Sequence, residues 1–373
     1  MQQALRIAGF AAGRTSPNPL VGAVIVKDSR IVGQGWHRQA GTPHAEIHAL
    51  NQAGNLAQGA TLYVTLEPCN HHGRTGPCTE AVIQAGIKRV FVSMLDPNPL
   101  VAGKGVARLR EAGIEVNTGI LAAEAARQNE VFIKWITTGL PFTVLKAAMT
   151  LDGKIATASG QSQWITGAAA RQYVHELRDR YDAILVGIGT VLADRPRLTT
   201  RLVGGGKNPV RVVVDSLART PPESVLVTDG EAPTWIAVSP VAPPERVNAL
   251  RARGTEVFTI PETPTGLDLR QLFSLLGQKG ISSVLVEGGA QINASVLAAN
   301  LADKVYWFIA PKLVGGNQAP GPVGGGGILS LEHALRLEDI EIDKFDEDIL
   351  LTAYLAGREG RDVYRTCGRI GQS

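Results

Sequence analysis

The chain has 373 residues, of which 44% are hydrophobic and 19% charged, and its formal net charge is +3. At about 150 residues per domain this length predicts two or three domains, each with a core of its own. No run reaches the ~18 apolar residues of a membrane span and no long basic stretch occurs; neither a membrane nor a nucleic acid is expected as a partner, whereas a small anionic substrate fits.

The first ten residues hold a short apolar patch without a charged leader or a long apolar core. They read as an amphipathic helix using Leu5, Ala8 and Ala12 rather than as a signal peptide. Three cysteines, an odd number, argue against a disulfide framework, and a cytoplasmic location is expected. Leu20 to Val26 and Ile31 to Trp36 flank polar residues 27–30 and predict a hairpin. His44 to Asn51 predicts a helix and Ala60 to Leu66 a strand. Thr79 to Gln84 is helical, closed by Gly86, and Arg89 to Met94 is a strand stopped by Asp96-Pro97-Asn98-Pro99. Lys104 to Ala112 reads as a helix, Ile114 to Val116 as a strand, and Ala122 to Ile136 as one longer helix broken by Gly139-Leu140-Pro141.

A second alternating series follows. Strands are expected over 143–147, 183–186, 210–215, 234–238, 284–287 and 304–309, and helices over 168–180, 267–276 and 292–300. Such alternation predicts α/β domains. Gly204-Gly205-Gly206 and the run Gly324 to Gly327 read as flexible surface loops. The polar, Arg-rich tail 357–373, which contains Cys367, is expected to be disordered.

The chemistry concentrates first at His44-Ala45-Glu46, which opens a helix, at Cys69 after a strand, and at Cys78 before the next helix. One imidazole and two thiolates make three zinc ligands and leave a fourth position for water, whose pKa such a site lowers toward about 7. Glu46, two residues from His44, can reach that water without ligating. An H-x-E element followed by P-C is the signature of zinc deaminases acting on nucleobases, with the Glu carrying protons to the departing ammonia. The second half departs from P-C-x-x-C, because Cys69 and Cys78 are nine positions apart. His71 or His72, inside that insert, is an alternative to a cysteine as ligand.

The run from Pro68 to Cys78 resembles the long-insert form found in riboflavin-biosynthesis deaminases. Ser16-Pro17-Asn18-Pro19-Leu20-Val21-Gly22, Gly35-Trp36-His37 and the stretch Asp96 to Gly105 are similar to the same family. The resemblance implies a substrate, 2,5-diamino-6-ribosylamino-4(3H)-pyrimidinone 5′-phosphate, with Asn18, His37, His71 and Arg74 lining its pocket. An amide and imidazoles can read ring edges, and an Arg can pair with a phosphate. Asn18, between two prolines, also fits a plain turn former.

Nothing after Pro141 looks like a metal site. Val284-Leu285-Val286 followed by Gly288-Gly289 and a helix is a turn whose backbone N–H groups can approach a phosphate, though it lacks the G-x-G-x-x-G fingerprint. Gly187-Ile188-Gly189, also after a strand, is equally ambiguous. Together with residues 145–156, 159–166, 187–196 and 198–201 these segments resemble the reductase half of the same bifunctional family. The resemblance implies an N-terminal cytidine-deaminase-like three-layer α/β domain over 1–141 and a dihydrofolate-reductase-like α/β domain over 142–356. It also implies two cofactors, one zinc per chain and NADPH, the latter reducing the ribosyl side chain to ribityl. Cofactor contacts would come from Ala148, Trp164, Thr190, Asp194, Ser216, Gly289, Ala290, Gln291, Ile292, Asn293, Ala294 and Ser295. Substrate contacts would come from Ser162, Arg178, Leu198, Arg201 and Glu287, with Lys146 as a catalytic candidate. Trp164 also fits a core residue, and Arg178 a solvated helix face.

The expected partners are phosphoribosyl-pyrimidine small molecules and further copies of the chain in a homo-oligomer. Two other readings compete: a cytidine, dCMP or tRNA deaminase with an unrelated C-terminal partner, and a regulatory protein whose second domain binds nucleotide without chemistry.

Overall fold

The computed structural model describes residues 1–71, 76–98 and 101–357 and divides them into two compact units, one formed by Met1–Gly139 and one beginning at Leu140. The first unit opens with α1 (Gln2–Ala8), which buries Ala4, Ile7 and Ala8. Strands β1 (Gly22–Lys27) and β2 (Arg30–Trp36) form the expected hairpin. Asp28 and Ser29 take left-handed backbone, φ 48° and 61°, as a two-residue turn matched to strand twist requires. Then come α2 (Ala45–Ala53), β3 (Thr61–Leu66), α3 (Cys78–Gln84), β4 (Arg89–Met94), α4 (Lys104–Glu111), β5 (Glu115–Thr118), α5 (Ala122–Gln128) and α6 (Glu130–Thr138). The sheet order is β2-β1-β3-β4-β5, antiparallel among the first three and parallel from β3 to β5.

Helix α2 rests directly on β2. A Cβ at Gly33 would stand 2.2 Å from the Ala49 carbonyl oxygen, and one at Gly35 would stand 2.6 Å from that of Ala45. Only a strand without side chains at those two places admits the helix backbone. The single helix expected over 122–136 is two helices, interrupted at Asn129 (φ −104°, ψ 18°). The buried Asn129 amide accepts from Leu20 N at 2.7 Å and donates to the carbonyls of Leu20 at 3.0 Å and Ala125 at 3.2 Å. Tying down the Leu20 backbone from both sides accounts for the break.

The second unit runs β6 (Phe142–Thr150), α7 (Ala168–Arg180), β7 (Ala183–Gly187), α8 (Ile188–Asp194), β8 (Val210–Val214), α9 (Val225–Thr228), β9 (Thr234–Val238), α10 (Pro244–Arg251) and β10 (Glu256–Thr259). A small ribbon, β11 (Glu262–Thr263) with β12 (Gly266–Leu267), precedes α11 (Leu269–Gln278), β13 (Ser283–Val286), α12 (Ala290–Ala298), β14 (Lys304–Ala310), β15 (Leu337–Phe345) and β16 (Asp348–Leu355). Nine strands lie in the order β10-β9-β8-β7-β13-β6-β14-β16-β15, parallel from β10 to β14 and antiparallel beyond.

The parallel strands are buried on both faces, which explains their unbroken apolar runs. Leu185, Val212 and Ala237 pack with Leu272, Phe273 and Leu276 of α11 on one side. Ile184, Val213 and Ile236 pack with Val191 and Leu250 on the other. The β15–β16 hairpin escaped the sequence reading. A bulge between Glu338 and Glu341, with Asp339 at φ 50°, interrupts the two-residue period of β15. Among the described residues, no helix is long and apolar enough to cross a membrane.

Candidate active sites

His44 is the N-cap of α2, Cys78 is the first residue of α3, and Cys69 lies three residues beyond β3. The Nδ1 of His44 is 3.2 Å from Cys78 Sγ and 3.5 Å from Cys69 Sγ, and the three donor atoms lie within 4.8 Å of one another. The Cys78 N–H donates to Cys69 Sγ at 3.4 Å and the Thr79 N–H to the Cys69 carbonyl at 3.2 Å, fixing the Cys69 segment on the start of α3. Separations of this size suit a tetrahedral zinc with bonds of about 2.0–2.3 Å and one open position. The donor set therefore fits zinc, across an eight-residue insert. His71 is outside this group, and His72 lies outside the described residues.

The Cys69 thiol is lowered to about 4 by its hydrogen bond with Cys78, against its own burial and with help from His44. The bond to Cys69, together with burial, pushes Cys78 up. Glu46, in the first turn of α2, is 3% exposed. Burial pushes its carboxyl up to about 7, against the pull of His44. A carboxyl at that value can accept and return a proton near neutral pH.

A cleft of about 600 Å³ opens on these groups and is also lined by Asn18, His37 and His71. Three of the four expected substrate residues are thus gathered at the metal donors; Arg74 lies outside the described residues. Asn18 Nδ2 is 3.1 Å from His37 Nε2, and His37 Nδ1 is 3.3 Å from the Pro43 carbonyl. A neutral imidazole donating to Pro43 and accepting from Asn18 satisfies both contacts, and burial lowers the His37 pKa in the same sense.

Asp96 and Asn98 also line the cleft; the sequence reading took them as a strand stop within a stretch resembling the family, not as site residues. Buried Glu67 holds them in place. Its carboxylate accepts from the N–H groups of Asp96 (3.2 Å), Gly103 (2.9 Å) and Val106 (3.0 Å). The available signal was a charged residue directly after the apolar strand Thr61–Leu66.

In the second unit, Lys146 and Ala148 are two apart on β6 and share a face. Lys146 Nζ is 3.8 Å from Glu287 Oε2. Glu287, just beyond β13, takes both arms of Arg178, Nε to Oε1 at 2.7 Å and Nη2 to Oε2 at 2.9 Å. Burial opposes the Glu287 charge, yet Arg178 and Lys146 hold its carboxyl down to about 2. Arg178 is neither a solvated face nor a free phosphate fork: its side chain is 12% exposed and its Nη1 donates to the Thr199 carbonyl at 3.1 Å. Arg201, by contrast, reaches His175, Nη2 to Nε2 at 3.4 Å.

Other expected contacts divide. Gln291, Ile292, Ser295 and Ser216 line a cleft of about 530 Å³ at the carboxyl ends of β7 and β8. Asn293, in the same helix, is 1% exposed and donates to the Pro322 carbonyl at 2.8 Å, so its side chain points away from that cleft. Ala290 packs under Gly324, and a Cβ at Gly289 would be 3.7 Å from Thr190 Oγ1, so α8 and α12 begin side by side. Leu198 is a core residue at 3% exposure with left-handed backbone (φ 55°), and its side chain is not presented to solvent. Trp164 is not core: it is 63% exposed, with the Arg171 guanidinium 4.7 Å from its ring centre. Ser162 Oγ donates to Asp194 at 3.1 Å, joining the loop before α7 to the end of α8.

These two sites define a zinc-dependent deaminase joined in one chain to a nucleotide-dependent reductase. The family model for the cytidine and deoxycytidylate deaminase zinc-binding region matches residues 1–94, and that for the RibD C-terminal domain matches residues 141–351. The chain belongs to the RibD family, the bifunctional deaminase–reductases of riboflavin biosynthesis. It is 48% identical over 366 residues to riboflavin biosynthesis protein RibD of Bacillus amyloliquefaciens, covering 98% of each. It is 44% identical over 360 residues to that of Escherichia coli, covering 93% of this chain and 94% of the relative. Among solved structures, Acinetobacter baumannii RibD matches with a TM-score of 0.85 at 40% identity, covering 95% of this chain and 97% of that one. A Thermotoga maritima diaminohydroxyphosphoribosylaminopyrimidine deaminase/5-amino-6-(5-phosphoribosylamino)uracil reductase matches with a TM-score of 0.84 at 38% identity, with the same coverage.

Proposed function

We propose that residues 1–141 hydrolyse the ring amino group of 2,5-diamino-6-ribosylamino-4(3H)-pyrimidinone 5′-phosphate and that residues 142–356 then reduce its ribosyl group to ribityl with NADPH. The observation that carries this reading is the pairing of His44, Cys69 and Cys78 with a buried Glu46 at the floor of the Asn18/His37/His71 cleft. The activities named for the Thermotoga maritima protein support it.

Zinc, held by His44, Cys69 and Cys78, would supply Lewis-acid chemistry to a water. Glu46 takes a proton from the attacking water as the water oxygen adds to the amino-bearing ring carbon. Glu46 then passes protons to the ring nitrogen and to the amine, so the C–N bond breaks, a C=O bond forms and ammonia leaves. Asn18 and His37 orient the ring edge, and Arg74 takes the phosphate.

NADPH, held by the cleft that Ser216, Gln291, Ile292 and Ser295 line, would supply the hydride chemistry needed at C1′ of the ribosyl group. The C1′–O4′ bond breaks and O4′ takes a proton from Lys146, whose pKa is lowered by burial and whose ammonium faces Glu287. Arg201 binds the substrate phosphate, while Arg178 holds Glu287. Free thiols at Cys69 and Cys78 favour a reducing compartment, the cytoplasm. A homo-oligomer is favoured by the outer strand β15, where Ile340 and Ile342 are 56% and 68% exposed.

The test supplies the authentic diaminopyrimidine phosphate with and without NADPH. Ammonia is released in both cases, and NADPH is consumed only after deamination. Failure to release ammonia from a preparation holding about one zinc per chain removes the deaminase assignment.

A further inference from the structure

His175 lies on α7 one turn before Arg178, so the two side chains share a helix face. The segment after Leu198, whose backbone is left-handed (φ 55°), meets that face. The Thr199 carbonyl accepts from Arg178 Nη1 at 3.1 Å, and the Lys207 N–H donates to Asp179 at 2.7 Å. Thr200 is held within the loop, its N–H donating to Asn208 Oδ1 at 2.9 Å and its Oγ1 to the Lys207 carbonyl at 2.8 Å. The backbone leading into Arg201 is therefore fixed, and what remains to be placed is its exposed guanidinium.

His175 supplies a contact to it: Nη2 of Arg201 is 3.4 Å from His175 Nε2. A guanidinium carries only donors, so Nε2 must accept and the proton of the neutral ring sits on Nδ1. Among the described residues, Nδ1 is buried without a well-formed hydrogen-bond partner, as is Thr199 Oγ1. A buried polar atom left so is unfavourable, and an apolar ring would pack there without that penalty. The imidazole is thus kept for what its other nitrogen does. Burial, then the charges of Arg178 and Arg201, lowers its pKa to about 4, against Glu287 and the Thr199 backbone. At neutral pH the ring is an acceptor and adds no positive charge beside the two guanidiniums.

Resting on the assignment of Arg201 to the substrate phosphate, we propose that His175 is a positioning residue whose neutral Nε2 holds the Arg201 guanidinium in the orientation that receives the phosphate of the deaminated intermediate. Arg178 cannot take that part, because Glu287 and the Thr199 carbonyl engage its donors. An exposed arginine otherwise samples many rotamers, and ordering it on binding weakens the complex. His175 engages one nitrogen of the planar group, so the other donors stay available for phosphate oxygens.

The test measures steady-state reduction by the full-length protein at saturating NADPH, with the deaminated intermediate and with its dephosphorylated form. His175→Phe keeps a ring of similar shape and has no acceptor. It raises KM for the phosphorylated substrate roughly 10-fold, with kcat within about twofold, and does not change KM for the dephosphorylated one. His175→Gln, whose Oε1 can accept where Nε2 did, returns KM to within about threefold of the native value. An equal rise for both substrates, a loss in kcat instead of KM, no change, or no rescue by Gln overturns the positioning role. NADPH binding checks that each variant is folded; where His175→Phe fails that check, His175→Asn, too short to reach Arg201, carries the same comparison. Arg201→Ala tests the underlying reading separately. If it does not weaken the phosphorylated substrate more than the dephosphorylated one, Arg201 is not the phosphate partner, an outcome distinct from failure at His175 alone.

Discussion

Arg178 and Glu287, 109 positions apart in sequence, meet through two hydrogen bonds of 2.7 and 2.9 Å, with Lys146 Nζ 3.8 Å away on the same carboxylate. Two cations thus depend on one buried anion. Glu287→Ala leaves both charges uncompensated, and such a loss costs about 3–5 kcal/mol. In calorimetry the reductase unit is expected to melt roughly 10 °C lower. Ammonia release by the deaminase unit continues. Glu287→Gln keeps acceptor and donor atoms, so its stability loss is smaller, but NADPH oxidation still fails because Lys146 has lost its counter-charge. A Glu287→Ala protein with an unchanged melting profile contradicts this account.

His175 sets a pH dependence. Burial, followed by the charges of Arg178 and Arg201, lowers its imidazole from the ordinary 6.5 to about 4, while Glu287 and the Thr199 backbone act in the opposite sense. The folded protein therefore keeps His175 neutral where the unfolded chain protonates it. Its stability contribution is full above about 6.5 and is lost as the pH falls toward 4. Glu287, lowered to about 2, titrates in a separate window below 4.5. Melting temperatures measured between pH 7.5 and 5 are expected to fall more steeply for the native chain than for His175→Gln, which has no proton to gain. Parallel curves would remove His175 as the cause.

Glu46→Gln separates the two activities. The amide fits the same buried place but cannot shuttle a proton, so deamination falls by about two to four orders of magnitude. Zinc content and reduction of supplied deaminated intermediate persist. Loss of zinc in this variant would make Glu46 part of the metal site rather than the proton carrier.

How much of this was legible in the sequence follows from the range of each interaction. The metal donors and Glu46 could be read because H-x-E and the two cysteines sit at element ends, where local pattern and chemistry coincide. The parallel strands could be read because they are buried on both faces and their apolar runs are unbroken. The break at Asn129 was not legible, since its cause is a partner at Leu20, far away in sequence. Arg178, expected to contact substrate, fitted a solvated face of a polar helix equally well because the carboxylate that buries it arrives only with β13. Trp164, expected at the cofactor, also fitted core by residue type, and only tertiary structure places it outside the core. Asn293 fell within a run assigned whole to the cofactor, whereas a helix shows one face to a cleft and turns the next residues away.

Gly35 offers a remote control of the metal site. A Cβ there would stand 2.4 Å from His48 Cβ, 2.6 Å from the Ala45 carbonyl oxygen and 2.8 Å from Ala49 N. Two of those atoms are backbone of α2, so the helix itself must move to admit a methyl group. α2 carries Glu46 in its first turn and His44 as its N-cap, whereas Cys69 and Cys78 are placed by β3 and α3. Displacing α2 therefore pulls one ligand and the proton carrier away from the two thiols. Overpacking of this kind costs about 1–3 kcal/mol, which a unit of this size survives. Gly35→Ala is expected to fold, to hold well under one zinc per chain by metal analysis, and to lose deamination while NADPH oxidation with the deaminated intermediate is unchanged. Full zinc occupancy and full deamination in Gly35→Ala would show that the close seat of α2 on β2 does not set the metal geometry.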